Sequence, residues 1–209
     1  ARGALMETVE AEADNETWRL EPAGARDLPP DPSLLRVRMA SRFELGRALL
    51  PLPAGTTSLA SFPATQLRRN VLGAVHAQLD VDWANYVAQA VPGIALYAPP
   101  MPEDAAVPAD EKAVLEQVVA ELGLRALAPA ERLRRIERHL GSFAYSTFRE
   151  RPVPAGETAL GDFLVRTRAG HCEYFAAAAT LLARAAGVPA RYAPGFAAIE
   201  YRTLEGAWV

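Results

Sequence analysis

The spacing of apolar residues changes midway along the chain, and this change most constrains the fold. Apolar and polar residues alternate strictly over residues 75–83, and the pattern recurs over 35–39. Side chains on a strand point alternately to two faces, so each segment predicts a strand that covers a core on one side. In the clearer strand the residues on the covered face are Val75, Ala77, Leu79, Val81 and Trp83. Short strands separated by turn-rich stretches at 51–55 and 61–63 predict a small β-sandwich.

A proline-rich passage over residues 99–108 separates this part from one in which the apolar period is 3.6. Proline resists both helix and sheet, so the passage is typical of a linker. Beyond it, the pattern predicts one helix that ends at Gly123 and a second that begins at Pro129 and ends at Gly141. The apolar stripe of the second helix is formed by Leu133, Ile136 and Leu140. The chain therefore changes from β-rich to helical across the linker.

The length of 209 residues is sufficient for two small domains. We expect an α+β chain with a β-sandwich-like domain over residues 1–105 and a second domain over residues 106–209. The formal net charge of −3 gives no electrostatic case for nucleic acid as a partner, and there is no apolar run of about 18 residues that would span a membrane. Cys172 is the one cysteine, which excludes an internal disulfide and a Cys-only metal site. We expect no metal and no organic cofactor.

The segment that begins at Cys172 carries the residues with chemical potential. Residues 172–186 favour a helix, which Gly187 and Pro189 bring to an end, and residues 190–196 then fit a strand. Cys172 would then lie in the first turn of a helix that is buried on its Phe175, Ala179, Leu182 and Ala186 face. Unpaired N–H groups and the helix dipole at that position favour the nucleophilic thiolate. Gly170 would let a substrate backbone approach the sulfur. The alternative is that Cys172 is a small buried apolar residue, which is the usual role of a lone cysteine.

Several segments around Cys172 resemble the core of the transglutaminase-like superfamily, and most of all its bacterial membrane-anchored members. The resemblance extends from about Asp110 to Val209. It rests on Phe163-Leu164, Gly170-His171-Cys172-Glu173-Tyr174-Phe175-Ala176, Arg184-Ala185-Ala186-Gly187-Val188-Pro189-Ala190-Arg191 and Gly195-Phe196. The resemblance implies a papain-like α+β fold with a Cys-His-Asp triad, of which Cys172 is the nucleophile. The same resemblance implies a His and an Asp that follow Val209, so we expect this domain to be partial over these residues and inactive by itself.

The three histidines of the chain have other expected roles. His171 is adjacent to Cys172, but neighbours on a helix diverge by about 100°, so we expect His171 at the rim of the pocket. His139 is expected near the end of the second helix, where an imidazolium suits the dipole. His76 is expected on the solvated face of its strand.

Other residues near the cysteine have weaker signals. Tyr145 lies upstream, where some branches of the family carry an aromatic residue near the oxyanion, so it is a candidate side-chain donor; a tyrosine of the core or the rim is the alternative. Glu173 is expected to complement the helix start. Arg184 and Arg191 are expected to be structural.

The resemblance implies cysteine acyl transfer in a longer parent protein. Cys172 would attack a carboxamide or peptide carbonyl and form a thioester, which an amine would resolve by cross-linking and water by hydrolysis. The implied partners are a peptide or protein carrying a carboxamide and an amine acceptor. The implied location is the extracytoplasmic side of a bacterial membrane, as part of a membrane-anchored protein. The alternative function is a catalytically silent binding or scaffold module of the cell envelope, and these residues alone could also pair through exposed sheet edges.

Overall fold

The structure, a computed structural model, describes residues 6–14, 16–20, 34–70, 72–92, 99–148, 152–193, 195, 198–204 and 206–208. The chain divides into two compact units, one formed by Ala1–Pro99 with Gly195–Val209 and the other by Pro100–Pro194. The sequence predicts residues 195–209 in the second domain, and the predicted domain boundaries stay a prediction. Within the described ranges, no helix has both the length and the apolar character needed to cross a bilayer.

The first unit is a β-sandwich, as the sequence predicts. Its strands are β1 (Met6–Val9), β2 (Trp18–Arg19), β3 (Leu35–Arg42), β4 (Arg47–Leu49), β5 (Thr56–Ala60), β6 (Gln66–Asn70), β7 (Val75–Gln78) and β8 (Trp83–Ala90). They form two antiparallel sheets of four strands, in the orders β1-β6-β7-β4 and β2-β5-β8-β3. Buried side chains from both sheets, among them Leu59, Leu67, Val75 and Tyr86, form one core.

The predicted strand over residues 75–83 is wrong beyond Gln78. Val75, Ala77 and Leu79 are buried as expected, but Val81 is 48% and Trp83 57% exposed. Two aspartates flank Val81 in the turn between β7 and β8, and aspartate favours turns because its side chain hydrogen-bonds the local backbone. The alternation over 75–83 therefore includes a turn and the first residue of the next strand. The predicted strand over 35–39 is confirmed as part of β3.

The second unit consists mainly of helices. They are α1 (Lys112–Glu121), α2 (Pro129–Leu140), α3 (Ala159–Asp162) and α4 (Cys172–Ala185), and a π-helical turn over Phe163–Thr167 follows α3. Two short strands, β9 (Ala144–Tyr145) and β10 (Ala169–Gly170), pair in parallel. Two further strands, β11 (Tyr201–Arg202) and β12 (Ala207–Trp208), pair in the first unit. The predicted helix ends are confirmed, since Gly123 is left-handed with φ 62° and Pro129 opens α2.

The strand predicted over residues 190–196 is absent from 190–193, and residues 194 and 196 lie outside the described part of the chain. Other partners take the backbone groups that a strand would use. The N–H of Ala190 donates to the carbonyl of Asp104 at 2.9 Å, and the carbonyl of Ala190 accepts from Arg184 Nε at 2.8 Å. Arg184 also donates to the carbonyl of Ala106 at 3.1 Å, so its predicted structural role is confirmed.

A buried ion pair fixes the segment after α4 to the start of the unit. Arg191 Nε donates to both carboxylate oxygens of Asp104 at 2.9 Å, and Arg191 Nη2 lies 2.7 Å from Oδ2. Asp104 is only 5% exposed, and its Oδ2 also accepts from the N–H of Met101 at 2.7 Å. The hydrogen bond from Arg191, followed by that from Met101, lowers the pKa of Asp104 below its usual 3.8. Residues 87 positions apart are thereby joined.

The substitution Asp104→Asn removes the charge that Arg191 pairs with, and we expect it to lower the free energy of unfolding by about 2 kcal/mol at neutral pH. Because the folded pKa of Asp104 is depressed, its stabilisation is present above the usual value and is lost as pH falls through the lower folded value. The difference from wild type should therefore shrink in acid. Urea unfolding followed by helical circular dichroism reports on this unit, since the α-helices of the described residues all lie in it.

Asp110→Asn is the matched control, because Asp110 is exposed. It should unfold like wild type at every pH. If Asp104→Asn were as stable as wild type at neutral pH, the ion pair would not hold the segment.

Candidate active site around Cys172

Cys172 is the first residue of α4 and is exposed to solvent. His171 precedes it in extended conformation, with φ −96° and ψ 179°, and turns the chain into the helix. The N–H groups of Tyr174 and Phe175 donate to the carbonyl of His171 at 3.0 and 3.4 Å. The N–H groups of Cys172 and Glu173 donate to no residue that the structure describes, as is usual at a helix start. The prediction that Cys172 opens a helix is confirmed, and the alternative that it is buried is wrong.

Tyr145 is brought to the same place by the parallel pair of β9 and β10. Tyr145 is the register partner of Gly170, and the N–H of Ser146 donates to the carbonyl of Gly170 at 2.9 Å. The Tyr145 ring stacks on Phe175, with the ring centroids 6.4 Å apart and the planes at 19°. Tyr145 is 66% exposed, so its hydroxyl is not part of a core.

Gly170 is small because of packing, not because a substrate needs access to the sulfur. Gly170 is buried, and a Cβ at this position would lie 3.0 Å from Phe163 Cδ2 and 3.1 Å from the Cβ of Tyr174. Phe163 is fully buried and also contacts the ring of Phe175, with centroids 5.2 Å apart. The glycine therefore lets β10 lie directly on Phe163. The expectation that Gly170 serves substrate approach is not supported by this geometry.

Cys172 and Tyr145 both line a cleft of about 720 Å³, which we call the Cys172 cleft. Residues of α2 and α4 and of the segment after α2 form its walls: Leu133, Ile136, Glu137, Leu140, Gly141, Phe143, Tyr145, Cys172, Phe175, Ala176 and Ala179. Its volume is within the range of roughly 300–1,000 Å³ that is common for small-molecule sites. Glu137 is the one charged residue among those that line it.

None of the three histidines lines the Cys172 cleft. The His171 ring packs edge-on against Tyr174, with centroids 4.9 Å apart. His139 lies in the last turn of α2 as predicted, but burial, with a smaller contribution from Arg168, lowers its pKa below 6.5. The neutral ring is favoured there, contrary to the expected imidazolium. His76 is on β7 in the other unit and is exposed, as predicted.

The predicted apolar faces of the two helices are confirmed only in part. The sequence predicts Phe175 and Ala179 on the buried face of α4, whereas the structure buries Ala178, Leu182 and Ala183 and leaves Phe175 and Ala179 half-buried at the cleft. Leu133 is predicted on the covered stripe of α2 but is 46% exposed.

Glu137 was missed altogether, and its one available signal was its helical spacing from Leu133 and Leu140. Within the described ranges, no three His, Cys, Asp or Glu side chains come together in a way that could hold a metal ion.

The sequence comparison matches part of the chain to a known family. Residues 116–209 match the sequence model of the Transglutaminase-like superfamily. The matched residues include α2, β9, β10 and all of α4, and hence both Cys172 and Tyr145. This chain therefore carries a transglutaminase-like domain, with the α+β character that the resemblance implies.

The chain is also similar to individual proteins. The uncharacterized protein YebA of Bacillus subtilis (strain 168) is 34% identical over 74 residues, which are 34% of this chain and 10% of YebA. The crystal structure of the periplasmic domain of TgpA from Pseudomonas aeruginosa is similar at a TM-score of 0.50 and 18% identity, over 88% of this chain and 59% of that one. A structure of the same TgpA domain bound to ethylmercury covers 75% of this chain and 56% of that one, at 19% identity and a TM-score of 0.49. The chain thus spans only part of the length of these relatives.

Proposed function

We propose that Cys172 is the nucleophile of a cysteine acyl-transfer reaction in the longer protein to which this domain belongs. The single observation that carries the proposal is the exposed thiol at the first position of α4, at the end of a cleft, within the segment that matches the superfamily. The substrate class is a peptide or protein that carries a carboxamide.

The first half of the reaction forms a thioester. The Cys172 thiolate attacks the carbonyl carbon, and a C–S bond forms as the carbonyl oxygen becomes an oxyanion. The N–H groups of Cys172 and Glu173, which have no partner among the described residues, are suited to stabilise that oxyanion. The C–N bond then breaks, and the amine leaves with a proton.

The second half regenerates the thiolate. An amine or a water attacks the thioester carbonyl, the C–S bond breaks, and the product is an amide or a carboxylic acid. The attacking group loses one proton. Cross-linking and hydrolysis therefore share every step up to the thioester and differ only in the acceptor.

The proton transfers need a base that the described cleft does not contain. The His171 ring packs on Tyr174, burial favours the neutral form of His139, and His76 belongs to the other unit. We therefore assign the base, and the carboxylate that orients it, to sequence outside these 209 residues.

Cys172→Ala should reduce thioester formation and amine incorporation to background in a protein that contains this domain and the sequence that follows it. The reason is that no other thiol exists in the chain to form the bond. Mass spectrometry of the trapped acyl-enzyme and incorporation of a fluorescent primary amine would measure the two steps.

Ser142→Ala is a matched control, since Ser142 is exposed next to the cleft without lining it. Its activity should equal that of wild type. Activity in Cys172→Ala equal to wild type would remove the enzymatic proposal and favour the silent binding or scaffold module.

We further assign Tyr145 as a side-chain donor to the oxyanion. Tyr145→Phe keeps the ring that stacks on Phe175 and removes only the hydroxyl. We expect kcat to fall about 10- to 100-fold with little change in KM, because an oxyanion donor acts chiefly in the transition state. Tyr192→Phe, at an exposed position away from the cleft, is the control. An unchanged kcat would leave Tyr145 as a rim residue.

The same proposal places the domain on the extracytoplasmic side of a bacterial membrane, as part of a membrane-anchored protein. Its support is the description of the similar TgpA structures as periplasmic domains. A fusion of alkaline phosphatase to this domain in the intact protein should be active, because that enzyme needs an oxidising compartment. An inactive phosphatase fusion together with an active cytoplasmic reporter would contradict the placement.

A further inference from the structure

The Cys172 cleft has a direction, because α2 and α4 run antiparallel. Arg132 near the start of α2 donates through Nη1 to the carbonyl of Ala186 at the end of α4, at 2.6 Å. At the opposite end, the segment after α2 pairs with the strand that leads into α4. The cleft therefore begins at Cys172 and extends along both helices towards their other ends.

The two helices contribute matching stripes to the cleft. On α4 the lining residues are Cys172, Phe175, Ala176 and Ala179, and on α2 they include Leu133, Ile136, Glu137 and Leu140. Both sets have the spacing i, i+3, i+4, i+7 that marks one face of a helix. Seven residues rise about 10 Å along a helix, which is the length of about three residues of extended peptide. The cleft is therefore longer than the reacting carboxamide needs.

The lining of the cleft selects for apolar groups. Leu133 is 46% exposed, and Ala176 and Ala179 offer flat apolar walls without hydrogen-bonding side chains. The one carboxylate, that of Glu137, is exposed and would repel an acidic substrate group. An apolar side chain of a substrate held at Cys172 could enter this cleft. Its surface and the apolar lining would then both be removed from water, with a gain of about fourfold in affinity per methylene buried.

We propose that the Cys172 cleft binds a large apolar side chain of the peptide substrate, on a residue beside the reacting carboxamide. This inference rests on the proposed function, since it takes Cys172 as the point where the carboxamide is held. It names the substrate class more narrowly, as a peptide in which an apolar residue such as Leu, Met or Phe flanks the carboxamide and an acidic residue does not.

Alkylation of Cys172 tests the cleft without requiring acyl transfer. The probes are chloroacetamide, N-hexyl chloroacetamide and N-(5-carboxypentyl) chloroacetamide, with rates followed by mass spectrometry and divided by the rates with glutathione. We expect the hexyl reagent to react at least tenfold faster than chloroacetamide and to show saturation, because the alkyl chain binds before the sulfur attacks. The carboxypentyl reagent should lose that advantage.

Two substitutions separate the cleft from general effects. Ala176→Leu fills the cleft from an exposed position on α4, so it should abolish the preference for the hexyl reagent, measured as the ratio of the hexyl rate to the chloroacetamide rate in the same variant. Ala130→Leu is the same change at an exposed position of α2 outside the lining, and it should keep the preference. Thermal unfolding of both variants checks that each is folded.

Equal normalised rates for the hexyl and small reagents in wild type, or a preference that persists in Ala176→Leu, would overturn the assignment of the cleft. That result would leave the thioester proposal standing, which depends on Cys172→Ala in the longer protein. A hexyl preference that disappears as protein concentration rises, together with dimers in sedimentation velocity, would show that a second copy occupies the cleft instead. If the protein prefers the hexyl reagent but forms no thioester, the result would support the binding of apolar groups in the Cys172 cleft and would contradict the proposed acyl transfer.

Discussion

The contact between Gly170 and the buried ring of Phe163 is the constraint on which the rest of the candidate site depends. With no Cβ in the way, β10 lies directly on that ring, and its pairing with β9 fixes Tyr145 beside the first turn of α4. Phe163 also packs against Phe143, with centroids 5.2 Å apart. One buried aromatic residue thereby supports the segment before the cysteine, the strand that carries Tyr145 and the first turn of the helix.

Features that depend on local sequence were predictable. The helix from Cys172 to Ala185 follows from a run of good helix formers that ends before glycine and proline, and the first position of α2 follows from the fixed φ of Pro129. The strand over 75–83 shows the limit of the same reasoning. Alternation can continue through a turn, so the two-residue period over 79–82 conceals the point at which the chain passes from one sheet to the other. Only the pairing of β7 and β8 with different neighbours reveals it.

Features that depend on tertiary contacts were not predictable from single-residue patterns. Nothing local to Asp104 indicates that its partner is Arg191, because the pair is formed by segments far apart in the chain. The same holds for the apolar faces of α2 and α4. An apolar stripe on a helix predicts that Leu133 or Ala179 is shielded from water. It does not show whether the residue packs in the core or lines a cleft. The prediction of a fully buried face therefore failed where the second helix leaves space.

That space has a physical origin in the small residues of α4. The helices are joined at one end by the bond from Arg132 to the carbonyl of Ala186, and at the other by the β9–β10 pair. Between these points α4 presents Ala176 and Ala179, side chains too short to fill the gap to Leu133. Close packing would call for larger residues here, and alanine also has the highest helix propensity, so it keeps the helix regular while it leaves the gap open. Within the described residues, α4 therefore combines a regular helix, an apolar side that no other side chain covers fully, and a thiol at its first turn.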